Sequence, residues 1–206
     1  MIRAVIFDFG NVLSRFDVGK LVRALSPFTD LPPTAVRRAF MDDDLAVRYE
    51  TGLVTTDEFI TTILHRGRLS MTKEAFVAAY TGIFEPIHAT MDLVRALKPN
   101  YTVSLLSNTN ELHFEHVIRK IDVFGLFDTV TLSFRVKAMK PAAKIYQDAL
   151  AQVNLGPEQC VFIDDLEENI DAARKLGIHG VHYTSHQDLL TALRQLDINL
   201  NSAEGS

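Results

Sequence analysis

Asp8 closes an apolar run, Ala4–Phe7, inside the stretch FDFGNVL. Two further apolar runs also give way to polar groups. Tyr101–Leu106 is followed by Ser107-Asn108-Thr109, and Val161–Ile163 by Asp164-Asp165. After a fourth run, Thr129–Leu132, a loop carries Lys140 just ahead of Pro141. Two adjacent carboxylates at the end of a buried strand are costly unless a cation lies between them. A hard divalent cation such as Mg²⁺ takes oxygen ligands, typically a couple of carboxylates plus waters and a substrate phosphate. Asp8 with Asp164 or Asp165 supplies that set. A hydroxyl at Ser107 and the point charge of Lys140 would hold phosphate oxygens, helped by loop N–H groups. Asp8 would then attack phosphorus, giving an aspartyl-phosphate for water to hydrolyse. Each residue also has an ordinary local role. Asp8 suits a turn, Ser107 a helix N-cap, Lys140 a solvated surface, and the acidic pair the cap of a helix at Glu168.

The chemistry requires the runs to be parallel strands whose carboxyl ends share one rim. Clean polar alternation is missing from all four, as in strands buried on both faces. A weaker fifth is Gly180–Tyr183. Helical patterns over Glu111–Ile121, Ala142–Val153, Glu168–Leu176 and His186–Leu196 lie between and after them. That alternation predicts a doubly wound α/β sheet, with ligands at the carboxyl ends of its strands. From Phe16 to Pro86 the rhythm breaks into helical patterns without a convincing strand: Val18–Leu25, Thr34–Met41, Thr56–Leu64 and Thr72–Tyr80. Thr34, Thr56 and Thr72 are the expected helix starts.

With 206 residues the chain can bury one core and still carry an insertion. A net charge of −5, with the basic residues scattered, argues against a nucleic-acid partner. Cys160 is the only cysteine, so no intrachain disulfide forms, and its apolar neighbours mark it as a core residue. No run approaches the roughly 18–20 apolar residues of a membrane span. The N-terminus passes almost directly into a strand, leaving no room for a signal peptide, and a cytoplasmic location is expected. Asn199–Ser206 reads as a frayed polar tail. Oligomeric state is not readable.

The ordered series FDFGNVL, LLSNTN, MKPAAKIY and FIDDLEENIDAARKLGI resembles motifs one to four of the haloacid dehalogenase-like superfamily. The wide gap after the first motif fits the branch with a helical cap inserted there. The resemblance implies an α/β fold, a Rossmann-like doubly wound parallel sheet with an inserted all-helical cap. The core would be residues 1–15 and 87–206, and the cap 16–86. It implies Asp8 as nucleophile, with Lys140 steadying both Asp8 and the phosphate. Ser107, Asn108 and Asn11 are the expected substrate contacts. Asp8, the backbone carbonyl of Gly10, Asp164 and Asp165 are the expected Mg²⁺ ligands.

Most phosphatases of that superfamily carry an aspartate two residues after the nucleophile, to protonate the leaving oxygen and then activate water. Gly10 occupies that position here. General acid–base help of this kind is typically worth roughly 10²–10⁴-fold. The D-x-G-N-V pattern is similar to a branch containing sugar-1-phosphate phosphatases and relatives of the epoxide hydrolase N-terminal domain. The expected function is a Mg²⁺-dependent phosphatase of a small phosphorylated metabolite, a sugar phosphate among the candidates. A good leaving group, water or a cap residue would make up for the missing acid. A 2-haloacid dehalogenase also lacks the second aspartate, but it needs no metal, and Asp164-Asp165 argues against it. A non-catalytic binding protein is disfavoured by the presence of all four motifs. Arg15, Phe16, Arg48, Tyr49 and Glu50 are the residues expected to reach the site from the cap. His113 and His116 are read as structural or solvent-facing, and Tyr146 as helix packing.

Overall fold

In the computed structural model, which describes residues 1–41 and 44–200, the apolar runs become the strands of one sheet. In chain order the elements begin with β1 (Ala4–Phe7), β2 (Ser14–Phe16), α1 (Val18–Leu25), α2 (Pro33–Met41), α3 (Leu45–Glu50), α4 (Thr56–Arg66) and α5 (Lys73–Thr81). There follow β3 (Phe84–Pro86), α6 (His88–Leu97), β4 (Thr102–Ser107), α7 (Glu111–His116), β5 (Thr129–Leu132) and α8 (Ser133–Val136). The chain continues as α9 (Ala143–Val153), β6 (Cys160–Asp164), α10 (Glu167–Lys175), β7 (His179–His182) and α11 (His186–Gln195).

Five strands pair in parallel in the order β5-β4-β1-β6-β7. The chain builds outward from β1 through β4 to β5, then returns to the other side of β1 for β6 and β7. The strand order therefore reverses between β1 and β6, the crevice where doubly wound sheets bind ligands. Phe7 lies opposite Leu105 on one side and Ile163 on the other, which brings the ends of β1 and β6 level.

Strand alternation sorts the buried residues between two helical layers. Val5, Phe7, Val103, Leu105, Val161 and Ile163 belong to one cluster with Met91, Val94 and Leu97 of α6 and Leu189 and Leu193 of α11. Ala4, Ile6, Cys160 and Phe162 belong to another with Ile145, Tyr146 and Ala149 of α9 and Ile170 and Ala173 of α10. Helices on both faces explain the unbroken apolar runs, and Cys160 is a buried core residue. The helix expected over Glu111–Ile121 is shorter: α7 ends at His116, and Ile118–Lys120 forms a separate 3₁₀ turn. Asn199 and Leu200, the first two residues of the expected tail, are held against the core. Asn199 N donates to the Tyr101 hydroxyl at 2.8 Å and Leu200 is buried, while 201–206 lie outside the described residues. No helix among the described residues is long and apolar enough to cross a membrane.

Helices α1–α5 gather a cluster of their own, including Leu21, Leu25, Val36, Phe59, Ile63, Phe76 and Tyr80. Thr72 caps α5 as expected, accepting from Ala75 N. The cap of α4 is Thr55, one residue before the expected Thr56. Thr55 and Glu58 form a reciprocal capping box, with Glu58 Oε2 accepting from Thr55 N at 2.9 Å. Thr34 lies inside α2, whose first residue is Pro33, the proline-tolerant first position of a helix. Three elements in or beside this segment add to the helical patterns given above: helix α3 and the strands β2 and β3. The two strands pair antiparallel, Phe16 opposite Phe84, where the chain leaves and re-enters the α/β core. Three residues are too few to show a period.

Candidate active site

Asp8 continues the ladder one step past β1, its N–H donating to Ile163 O at 2.9 Å, so its side chain stands at the strand-order reversal. Lys140 lies between two carboxylates there. Its Nζ is 2.6 Å from Asp8 Oδ1 and 2.6 Å from Asp164 Oδ2, and all three residues are buried. Burial pulls the ammonium down, but the two carboxylates outweigh it and hold Lys140 above its ordinary value. Burial pushes the Asp8 carboxyl up to about 7, against the pull of Lys140 and with Asp164 adding repulsion. Lys140 therefore keeps its charge, and the surplus of negative charge falls on the carboxylates.

Asp164 has every oxygen engaged. Oδ1 accepts from Leu166 N at 2.8 Å and Asn169 Nδ2 at 3.0 Å, while Oδ2 accepts from Lys140 and, at 3.1 Å, from the same amide. Tyr146 does more than pack its helix: its hydroxyl donates to Asn169 O at 2.9 Å and so holds that asparagine. Asp165 is less enclosed, and its Oδ2 accepts from Asn11 Nδ2 at 2.9 Å. Asn11 sits at φ 52°, a left-handed conformation that asparagine tolerates better than most residues. One oxygen from each of Asp8, Asp164 and Asp165 lies within 4.8 Å of the others.

Lys140 is positioned by a second strand end. Asn108 Oδ1 accepts from Lys140 N at 2.8 Å and Asn108 Nδ2 donates to Lys140 O at 3.0 Å. The Asn108 amide is thereby committed to the lysine's backbone rather than free for a substrate. Asn108→Ala strands two backbone groups and is expected to cost about 2 kcal/mol, read from a denaturant midpoint. Ser107 is buried beside it and does not cap α7. Asn110 does, accepting from His113 N at 3.0 Å.

Between the helical segment and the sheet lies a cavity of about 210 Å³, lined from the core by Phe9, Gly10, Ser107, Asn108 and Thr109. Its other walls are largely apolar and aromatic, among them Phe16, Phe40, Phe59, Tyr80 and Phe84. A Cβ built on Gly10 would lie 3.9 Å from Asp8 Oδ2 and 3.5 Å from Phe16 Cε1, so Asp8 Oδ2 faces the side of Gly10 while Oδ1 faces Lys140. Two polar side chains in these walls escaped sequence reasoning in their roles. Burial pushes the Glu50 carboxyl up to about 7. His113, held down to about 4 by burial, stacks on Tyr80 at 4.4 Å. Its Nδ1 meets Asn110 Nδ2 at 3.1 Å, which assigns the proton to Nε2, and Nε2 has no partner among the described residues. Of the other expected cap residues, Phe16 lines the cavity and Tyr49 does not. The Tyr49 hydroxyl accepts from Leu112 N at 3.3 Å and meets Thr56 Oγ1 at 2.9 Å, joining α3 and α4 to α7. Arg48 is exposed and does not line the cavity, and Arg15 lines a separate surface hollow with Asn11 and Asp165.

Residues 2–177 match the family model described as haloacid dehalogenase-like hydrolase. The chain is 25% identical over 186 residues to a D-ribitol-5-phosphate phosphatase of Bacteroides thetaiotaomicron, covering 86% of this chain and 89% of that protein. It is 26% identical over 201 residues to a sesquiterpene phosphatase of Aspergillus oryzae, covering 94% and 96%. A similar match to a drimenol cyclase of Aspergillus calidoustus spans only 37% of that longer protein. Among solved structures, a haloacid dehalogenase family enzyme of B. thetaiotaomicron in complex with magnesium and inorganic phosphate superposes with a TM-score of 0.78. The two are 26% identical, over 88% of this chain and 94% of that one. With a family model spanning most of its length and the motif residues gathered at one sheet edge, the chain belongs to the haloacid dehalogenase-like hydrolases.

Proposed function

We propose that this hydrolase is a Mg²⁺-dependent phosphatase that cleaves a small phosphomonoester through an aspartyl-phosphate on Asp8. The observation that carries the reading is the cluster of Asp8, Asp164 and Asp165, with buried Lys140 between the first two. Three carboxylates against one ammonium leave two negative charges, which suits a divalent cation, and the donors are all oxygens, which suits Mg²⁺. Asp8, Asp165 and the Gly10 carbonyl would hold it, with Asp164 alongside. When bound, it neutralises phosphate charge and keeps Asp8 ionised at neutral pH.

The protein's own groups divide the remaining work. Asp8 Oδ2 is the attacking oxygen, because Oδ1 is held by Lys140. Lys140 aligns that carboxylate and meets the phosphate charge, and Asp164, fully hydrogen-bonded, keeps the lysine in place. Ser107 binds a phosphate oxygen through its hydroxyl, Asn108 contributes its main chain, and Asn11 acts by orienting Asp165. Names of relatives add support: two are phosphatases, and a structural neighbour was solved with magnesium and phosphate.

The cavity narrows the substrate. Aromatic walls offer little to the hydroxyls of a sugar and much to a compact apolar group. An apolar cavity of roughly 150 Å³ accepts a benzene ring, so about 210 Å³ suits one substituted ring or a short branched chain. A screen of phosphate esters with Mg²⁺ is expected to favour benzyl and branched alkyl phosphates over sugar phosphates, and EDTA is expected to abolish release. Undiminished release in EDTA, or none from any ester with Mg²⁺, removes the metallophosphatase reading.

A further inference from the structure

The cavity lined by Gly10 contains one carboxyl outside the carboxylate–lysine centre, that of Glu50 in the last turn of α3. Four contacts dock this helix end on the core. Ser133 Oγ donates to Glu50 O at 2.6 Å, lies 2.9 Å from Thr109 O, and accepts from Thr109 N at 2.9 Å. It thereby ties α3 to the loop that carries Ser107 and Asn108. Two residues on, Gly52 adopts φ 63° and passes so near Phe134 that a Cβ there would overlap the Phe134 carbonyl. Lys137 Nζ donates to Gly52 O. Tyr49, the neighbour of Glu50, is bound to Leu112 N. The Glu50 carboxyl is thus delivered to the cavity wall, where no hydrogen-bond donor or cation among the described residues meets it. A carboxyl so placed costs free energy unless it works as an acid or meets a ligand.

We propose that Glu50 replaces the acid missing at Gly10: its carboxylic acid protonates the ester oxygen as Asp8 Oδ2 bonds to phosphorus and the P–O bond to the leaving group breaks. The Glu50 carboxylate so formed takes a proton from the water that attacks the aspartyl-phosphate. The bond between Asp8 and phosphorus breaks, inorganic phosphate departs, and the Glu50 acid is restored, with no further co-reactant. The proposal rests on the phosphatase reading above. The raised Glu50 carboxyl, near 7 because of burial, leaves the acid form available at neutral pH, close to the ideal for a group that gives and then takes a proton.

The test compares kcat/KM for benzyl phosphate and 4-nitrophenyl phosphate with Mg²⁺. The two place rings of similar size in the cavity, but benzyl alkoxide needs a proton to leave and 4-nitrophenolate does not. Glu50→Gln keeps the size and is neutral where burial already favours the neutral form. It is expected to lower kcat/KM by about 10²-fold or more on benzyl phosphate and by under about threefold on the nitrophenyl ester. Equal losses on both esters, or none on either, overturn the proposal. A wild-type protein inactive on both removes the phosphatase reading itself, and the proposal with it.

Should Glu50→Gln fail to fold, the wild-type protein supplies the answer through the ratio of the two kcat/KM values against pH. Asp8 acts on both esters and cancels. Tyr49 on the same helix and Tyr80 on α5 are raised by burial, and His113 on α7 is lowered to about 4, so none of them titrates near neutrality. A benzyl-to-nitrophenyl ratio that falls as pH rises through about 7 is expected, and a ratio flat from about pH 6 to 9 overturns the proposal.

Discussion

Asp8→Asn is expected to lower kcat on 4-nitrophenyl phosphate by at least ~10⁴-fold while the protein stays folded. An amide cannot form the aspartyl-phosphate, and no other described side chain offers a carboxylate oxygen at the same place between Lys140 and Gly10. The fold should tolerate the change because asparagine keeps the shape and its oxygen can still accept from Lys140 Nζ. It also removes a charge that burial disfavours, as the raised Asp8 carboxyl shows. Circular dichroism and the unfolding temperature check the second part. Activity within tenfold of wild type would show that Asp8 is not the nucleophile.

The second large effect is on stability. Lys140→Met is expected to destabilise the metal-free protein by about 3–5 kcal/mol at pH 8, because buried carboxylates lose the ammonium that joins them. The pH dependence has a definite sign. Asp8 already titrates above its ordinary value through burial, and losing Lys140 raises it further. A folded-state carboxyl raised above its unfolded value binds more protons when folded, so stability falls as pH rises through that window. The deficit against wild type should therefore be larger at pH 8 than at pH 5, measured by unfolding temperature in EDTA. Mg²⁺ should recover part of it, since a cation that binds only the folded form stabilises by mass action. A deficit independent of pH would mean that packing of the lysine stem, rather than its charge, was lost.

Much of the proposed chemistry was readable in one dimension. A parallel sheet buried on both faces writes itself as unbroken apolar runs, and its rules send every strand's carboxyl end to the same rim. Asp8, Ser107 and Asp164 were therefore placed by their own strands, and Lys140 by the loop after a fourth. Asn108 shows the limit. Its position was legible, but its partner was not, because the amide's choice of the Lys140 backbone depends on a loop 32 residues away meeting it in space.

Glu50 was among the residues expected to reach the site and does so, but its burial, like the place of His113 in the cavity wall, lies beyond that limit for the same reason. VRYETG offers Glu50 as a candidate but does not say how the last turn of a short helix abuts the core. That follows from the Ser133 hydroxyl reaching across 83 residues and from a glycine thin enough to pass Phe134. His113, read as structural or solvent-facing, became a cavity wall when Tyr80 stacked on it. Thr55 and Thr56 divided their duties similarly: one caps its helix locally, and the other meets Tyr49. Local rules of periodicity and strand ends are carried by neighbours in the chain, so the residues at the sheet edge could be read from their order alone. The groups that the helical segment brings over that edge, and the burial that raises Glu50 toward neutrality, arise from packing between distant segments. No run of adjacent residues encodes that packing.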